Sequence, residues 1–270
     1  MKMILPPDWD RPSPDNDSIC EKFARKVYRA GNDCLRYRLF APDKAGEAKV
    51  PLVLYLHGAD AAGDDNDIQL SMHDIGPYLA RDDMQRRHPC YILAPQYASS
   101  EHWSIQNVKD ALWKLVTDTA QSNPDIDANR IYVYGYSAGG VGTLRLVKEH
   151  PGFFAAAVSI CGATGTWDLD NLLKIPLWMT HAADDTIVKA VYRTRDDTVP
   201  GNLGSNDIYN WYLRRSKEVG DSVAEMRYTE YPKGFMKEHY GVNPHCSWVV
   251  LSDTSNTEVW EWMFSKRLGA

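Results

Sequence analysis

Short apolar runs of strand length alternate along the chain with segments whose apolar residues recur at helical spacing. Strands are predicted over 34–41, 50–56, 90–94, 130–134, 155–160, 175–180 and 224–231. Between them, Val108, Leu112, Leu115, Val116 and Thr119 fall on one helix face, and Val141, Leu144 and Val147 do so before Pro151 stops the next helix. Ile208, Trp211 and Tyr212 mark a further helix, and Val259, Trp260, Met263 and Phe264 another. The middle strands are apolar on both faces, which predicts a mostly parallel central sheet with helices on both faces. No repeat or linker interrupts the pattern, so residues 20–270 are expected as one domain behind an irregular, Pro- and Asp-rich leader over 1–19. The stretch from Lys189 to Ser205 is polar, contains Pro200, Gly201 and Gly204, and follows a strand end. It reads either as a lid over a site or as a plain connector.

Composition narrows the function classes. Apolar residues make up 44% of the 270 and charged residues 24%, which supports a large core and speaks against disorder. The net charge of -6 provides no basic surface for a nucleic acid or an anionic membrane, so neither is expected as a partner. The longest apolar stretches, 50–56 and 154–161, fall far short of a membrane span. The N-terminus lacks the apolar core of a signal peptide, which predicts a cytoplasmic protein, or a secreted one from which a leader was removed. Five cysteines are an odd number without C-x-x-C spacing, so free thiols are expected, with a Cys20–Cys34 bridge as the alternative.

The stretch Arg130 to Gly140 carries the chemistry. An apolar strand runs into Gly135-Tyr136-Ser137-Ala138-Gly139, and a helical pattern follows at once. That strand–turn–helix context is what a nucleophile elbow requires, with the Ser137 hydroxyl standing clear at the positive end of a helix. A Walker loop would need Lys where Val141 stands, and no G-x-G-x-x-G occurs. A serine hydroxyl needs a base, and the base needs an orienting acid, here expected in the order Ser, Asp or Glu, His. Asp185 follows the 175–180 strand and is the candidate acid, ahead of Asp184, with Asp168 and Asp170 weaker. His245, in the loop before the terminal helix, is the candidate base, with His239 in reserve; His57 and His181 read as structural. Two backbone N–H groups must face the oxyanion, and Ala138 and Ala59 are the candidates, with Asp60 behind Ala59. No H-E-x-x-H or paired Cys/His spacing occurs, so no metal and no other cofactor is expected.

Across roughly residues 34–268 the chain resembles the bacterial α/β-hydrolases known as predicted peptidases or phospholipase/carboxylesterase-type esterases, close to feruloyl and acetyl-xylan esterases. The likeness runs through Leu56-His57-Gly58-Ala59 with Gly63 to Asn66, Ile92 to Gln96, Trp103-Ser104 and Asp127 to Val133. It continues through Gly135 to Gly140, Phe154 to Gly162, Ile175-Pro176, His181 to Val188, Arg227 to Tyr231 and His245 to Trp248. Asp60-Ala61-Ala62 replaces the usual Gly-Glu-Arg-like stretch, and Val-Val-Leu follows Trp248. The resemblance implies an α/β-hydrolase fold, with Ser137 as nucleophile, Asp185 as acid, His245 as base and the Ala59 amide in the oxyanion hole. It also implies a carboxylic-ester substrate, a short-chain or feruloyl ester of a carbohydrate, with a serine peptidase or a non-catalytic binding protein as alternatives. Trp103, Trp167 and Trp248 fall in loops near the expected site and are the candidates for stacking on a sugar or phenolic ring.

Overall fold

The computed structural model describes residues 6–30, 33–43, 49–192, 201–220 and 222–269. Eight strands form one sheet: β1 Ala24–Ala30, β2 Asp33–Phe40, β3 Val50–Leu56, β4 Tyr91–Gln96, β5 Ile126–Tyr136, β6 Ala156–Ile160, β8 Leu177–Ala182 and β10 Met226–Tyr231. Their order is β1-β2-β4-β3-β5-β6-β8-β10. The β1–β2 and β2–β4 pairs are antiparallel and the remaining pairs parallel. A separate two-stranded ribbon pairs β7 Ala163–Thr164 with β9 Leu203–Gly204.

Alternation along the central strands divides their side chains between two cores, one on each face of the sheet. Tyr132, Tyr134 and Tyr136 of β5, with Tyr55 of β3, point into a core shared with Trp248 and Trp260. Leu52, Leu54, Leu56 and Val133 point the other way, onto α4 Gln106–Ser122 and α5 Ala138–Glu149. Each β5 tyrosine hydroxyl finds an acceptor: Lys266 O at 2.7 Å for Tyr132, Ile75 O at 3.0 Å for Tyr134, and Asp60 Oδ1 at 2.8 Å for Tyr136. Burial without such partners would cost each hydroxyl roughly 1–3 kcal/mol. Pro51 removes one ladder donor from β3, and the β3–β5 register slips there, between Val50 and Leu52.

Strand β1 was not predicted from the sequence. Ala24 to Val27 and Arg29 are exposed, so no apolar alternation announces it; backbone pairing with β2 alone makes it an edge strand. Part of the leader is regular, since Asn16–Cys20 forms the short helix α1. The five cysteines are free thiols, Cys20 buried and Cys34 exposed. Of the Lys189–Ser205 stretch, residues 193–200, including Pro200, lie outside the described residues. Its two ends are tied together: Tyr192 N and Gly204 N both donate to Asp207 Oδ2, at 2.7 and 3.1 Å. Among the described residues no helix is long and apolar enough to cross a membrane.

Candidate active site

The turn from β5 into α5 places Ser137 at φ 53°, ψ -119°, a left-handed conformation that costs a non-glycine residue on the order of 1–3 kcal/mol. Close packing enforces it. A Cβ on Gly135 would lie 2.5 Å from Gly139 O, and one on Gly139 would overlap Leu56 O, so neither position accepts a side chain. The Ser137 amide is held by Ile160 O at 3.0 Å and Cys161 Sγ at 3.3 Å.

His245 lies in a short 3-10 turn, Pro244–Cys246, whose start is capped by Asn243 Oδ1 accepting from the His245 amide at 3.0 Å. Its Nδ1 is 2.7 Å from Asp185 Oδ2 and its Nε2 is 2.9 Å from Ser137 Oγ. Ionised Asp185 can only accept, so Nδ1 carries the proton and Nε2 presents a lone pair to the serine hydroxyl. The imidazole is 1% exposed.

Asp185 follows β8 and is anchored on both oxygens. Oδ1 accepts from the amides of Ile187 at 2.8 Å and Val188 at 3.1 Å, while Oδ2 takes His245 and lies 3.3 Å from His181 Nε2. Burial alone would raise its pKa. The hydrogen bonds and charge of His181 and His245 outweigh burial and hold it at about 2. His181 Nε2 also donates to Val188 O at 2.7 Å, closing the loop around the carboxylate. Asp184 points elsewhere and accepts from Gly234 N at 2.9 Å. His239 is exposed on α7 Phe235–Tyr240, stacked on Phe235 at 4.2 Å.

The amides of Ala59 and Ala138 open the 3-10 helix Ala59–Ala61 and α5, so neither has an intrahelical partner. Neither has an acceptor among the described residues. His57 is buried and stacked on Tyr97 at 4.6 Å, and burial pulls its pKa down to about 4. Cys161, Asp185 and His245 have ligand-type atoms within 4.8 Å of one another. They are poor material for a metal site, because burial pushes the Cys161 thiol well above its ordinary pKa and the other two side chains are already paired.

The three tryptophans picked from the sequence are placed differently from one another. Trp103 is 2% exposed, donates to His57 O at 3.0 Å and packs edge-on against Tyr97. Trp248 is fully buried behind His245, ring centroids 5.5 Å apart, and donates to Asp10 Oδ2 at 3.0 Å. Trp167 lies under Lys148, whose Nζ is 3.6 Å from the ring centroid. Arg145, also on α5, lies over the same ring, its Cζ 5.4 Å from the centroid, so Trp167 packs against the side chains of that helix. Burial and the neighbouring Arg145 lower the Lys148 pKa to about 8.

Asp8, Trp9, Asp10, His73 and Asn243, which the sequence did not single out, also lie around the site. The leader returns to it: Asn243 N donates to Asp8 O at 2.6 Å, and Trp9, partly exposed, sits 5.8 Å from the His245 ring and 5.9 Å from Trp248. Asp10 Oδ2 is 2.9 Å from His73 Nδ1, an ion-pair contact off the axis of an aligned hydrogen bond. His73 Nε2 is 2.7 Å from Asp60 Oδ2. No local motif marks these residues, which lie far apart in sequence.

Comparison with known proteins bears on the fold as a whole. The model of the prolyl oligopeptidase family, Peptidase_S9, matches residues 96–197. A thermostable esterase of known structure is 31% identical, with a TM-score of 0.77 over 93% of this chain and 64% of its own. An acylaminoacyl peptidase from Pyrococcus horikoshii superposes with a TM-score of 0.59 at 13% identity, covering 95% of this chain and 44% of its own. Est1E from Butyrivibrio proteoclasticus gives 0.55 at 14% identity, over 89% of this chain and 98% of its own. An uncharacterized secreted protein from Arthroderma benhamiae is 24% identical over 164 residues, 57% of this chain and 16% of that protein. The chain thus spans less than two thirds of the esterase and about a sixth of the fungal protein. With the strand order above, these likenesses show that the chain has the α/β-hydrolase fold.

Proposed function

We propose that the protein is a serine-dependent carboxylic-ester hydrolase working through an acyl-enzyme. The observation that carries this reading is the unbroken Ser137–His245–Asp185 hydrogen-bond chain, 2.9 and 2.7 Å, at a left-handed elbow. In the proposed reaction Ser137 Oγ attacks the ester carbonyl carbon while His245 Nε2 takes its proton. The amides of Ala59 and Ala138 receive the negative oxygen. Collapse of the tetrahedral intermediate expels the alcohol, which takes the proton from His245. Water then adds to the acyl-enzyme, giving its proton to His245, and the acid leaves as Ser137 recovers its hydrogen.

For the substrate, we propose short-chain or feruloyl esters of carbohydrates. The partly exposed Trp9 ring beside His245 supports an aromatic acyl group or a sugar ring as occupant. The Peptidase_S9 match and the acylaminoacyl peptidase likeness favour amide cleavage on the same triad as the second reading. A fluorophosphonate probe should label Ser137 in the wild-type protein and not in Ser137→Ala, with turnover of nitrophenyl acetate falling roughly 10³–10⁶-fold. Ester-cleaving protein that resists the probe would require another nucleophile. Cleavage of peptide p-nitroanilides as fast as esters would favour the peptidase.

A further inference from the structure

Behind the Ala59 loop lies a second set of buried ionisable groups that ester cleavage as proposed does not use. Asp60, next in sequence to Ala59, sends Oδ1 to the Tyr136 hydroxyl at 2.8 Å and Oδ2 to His73 Nε2 at 2.7 Å. Tyr136 is the residue before Ser137. One hydrogen bond therefore joins the immediate neighbours of the two groups that must converge on a carbonyl. His73 Nδ1 faces Asp10 Oδ2, which also accepts from Trp248. The side chains of His73 and Asp60 are 0% and 3% exposed, that of Asp10 13%.

We propose that His73 is a positioning residue that, with Asp10 as its clasp, locks the loop bearing the Ala59 amide onto the strand end bearing Ser137. The proposal rests on the serine-hydrolase reading above. With both Asp60 oxygens engaged, its carboxylate cannot turn without breaking a buried contact, and the adjoining amide is fixed with it. His73 cannot swing away, because each ring nitrogen faces a carboxylate. Burial would lower the His73 pKa, but Asp10 and Asp60 outweigh it and raise it to about 9. Among the described residues, the titratable neighbours Cys246, Tyr136, Tyr55 and His57 supply no positive charge. Burial drives the thiol of Cys246 to about 12, the hydroxyls of Tyr136 and Tyr55 well above their usual value, and His57 down to about 4. Asp8, on the same strap, adds negative charge beyond Cys246. His73 is left to balance Asp10 and Asp60.

The strap that delivers Asp10 is pinned on either side of it. Asp8 binds Asn243, and the Ser13 amide donates to Asp74 Oδ1 at 3.0 Å. Asp74 is the residue after His73, so the leader grips the clamp from both flanks.

The test compares wild type, Asp10→Asn, Asp10→Glu and His73→Gln in hydrolysis of nitrophenyl acetate from about pH 6 to about pH 10, across the His73 transition. Asp10→Asn should lower kcat roughly 10–100-fold with KM little changed, because an oxyanion donor is misplaced while substrate contacts remain. Its alkaline fall in kcat should begin at lower pH than in wild type, and Asp10→Glu should restore much of both. Ring-nitrogen NMR of His73 in the Ser137→Ala protein supplies a readout free of activity. The ring should stay doubly protonated until about pH 9 and lose its proton at lower pH once Asp10 becomes Asn. Should His73→Gln fail to fold, the Asp10 pair and the NMR titration still decide. Asp10→Asn matching wild type across the range, or His73 titrating near about pH 6.5 as in a free peptide, overturns the proposal. Wild-type protein that neither takes the fluorophosphonate nor cleaves the ester overturns the hydrolase reading instead, and this one with it.

Discussion

Two imidazoles lie near each other in this molecule, each hydrogen-bonded to an aspartate, and their surroundings assign them opposite capacities. His245 has one carboxylate, on Nδ1, and a hydroxyl on Nε2. His73 has a carboxylate at each nitrogen. The first arrangement leaves a lone pair aimed at the serine oxygen; the second sets a carboxylate against each nitrogen, one hydrogen-bonded and one in ion-pair contact, and so favours the charged ring. The aspartates differ in the same way. Asp185 is braced by two amides and His181, all but His181 within three residues of it in sequence. Asp10 arrives on a strap from the start of the chain. On the proposed mechanism, residue type does not separate the proton carrier from the structural cation here. The number of carboxylates in reach does.

The largest way to break this contrast is on the His245 side. Asp185→Asn should fold and lose roughly 10⁴-fold in kcat, because His245 would lose the partner that fixes its tautomer. Asp184→Asn should lose far less, since Asp184 serves the Gly234 amide rather than the base. Equal losses measured by steady-state turnover would mean that the loop, not the carboxylate, matters.

Next in size is the wall between the two imidazoles. Trp248 is fully buried, 5.0 Å from His73 and 5.5 Å from His245 by ring centroids. Trp248→Ala should destabilise the protein by about 3–5 kcal/mol, read by denaturant unfolding. A loss of substrate affinity at unchanged stability would instead put this ring in contact with substrate.

Stability against pH should bend at opposite ends for the two sites. The folded pKa of Asp185 lies below its ordinary value, so its contribution is present above about pH 4 and lost as pH falls through about 2. The folded pKa of His73 lies above its ordinary value, so its contribution is present below about pH 6.5 and lost as pH rises through about 9. From the shifts, the terms are on the order of 2 and 3 kcal/mol. Thermal melting from acid to alkaline pH should show Asp185→Asn flattening the acid side and Asp10→Asn the alkaline side. The reverse pattern would exchange the roles of the two pairs.

The smallest effect is expected at Trp167. It carries Lys148 on its face far down α5, so Trp167→Ala should cost at most about 1–2 kcal/mol of cation–π contact and leave ester turnover unchanged. A raised KM for feruloyl esters in this variant would bring Trp167 back into the substrate path.

Much of the fold was legible because it is locally encoded. Alternation in β3 and β5, helical spacing in α4 and α5, and the glycines around Ser137 each express a constraint that acts within a few residues. The elbow is the clearest case: Gly135 and Gly139 are required by contacts with the adjoining strand and helix, and that requirement is written as a short motif. Asp185 and His245 could be proposed as acid and base because strand ends and chain order restrict where such groups can stand, and the fold brings both side chains into line with Ser137. Strand β1 could not be read, since an edge strand exposed from Ala24 to Val27 and at Arg29 carries no apolar period. The tryptophans could not be sorted, because loop position does not reveal that one indole N–H is met by His57 O and another by Asp10. Nor could the cation behind the oxyanion loop be foreseen. Asp10, Asp60 and His73 are ordinary surface-type residues in sequence, and only contacts between distant parts of the chain bring them together and bury them. Long-range burial, which no local pattern records, turned them into a clamp.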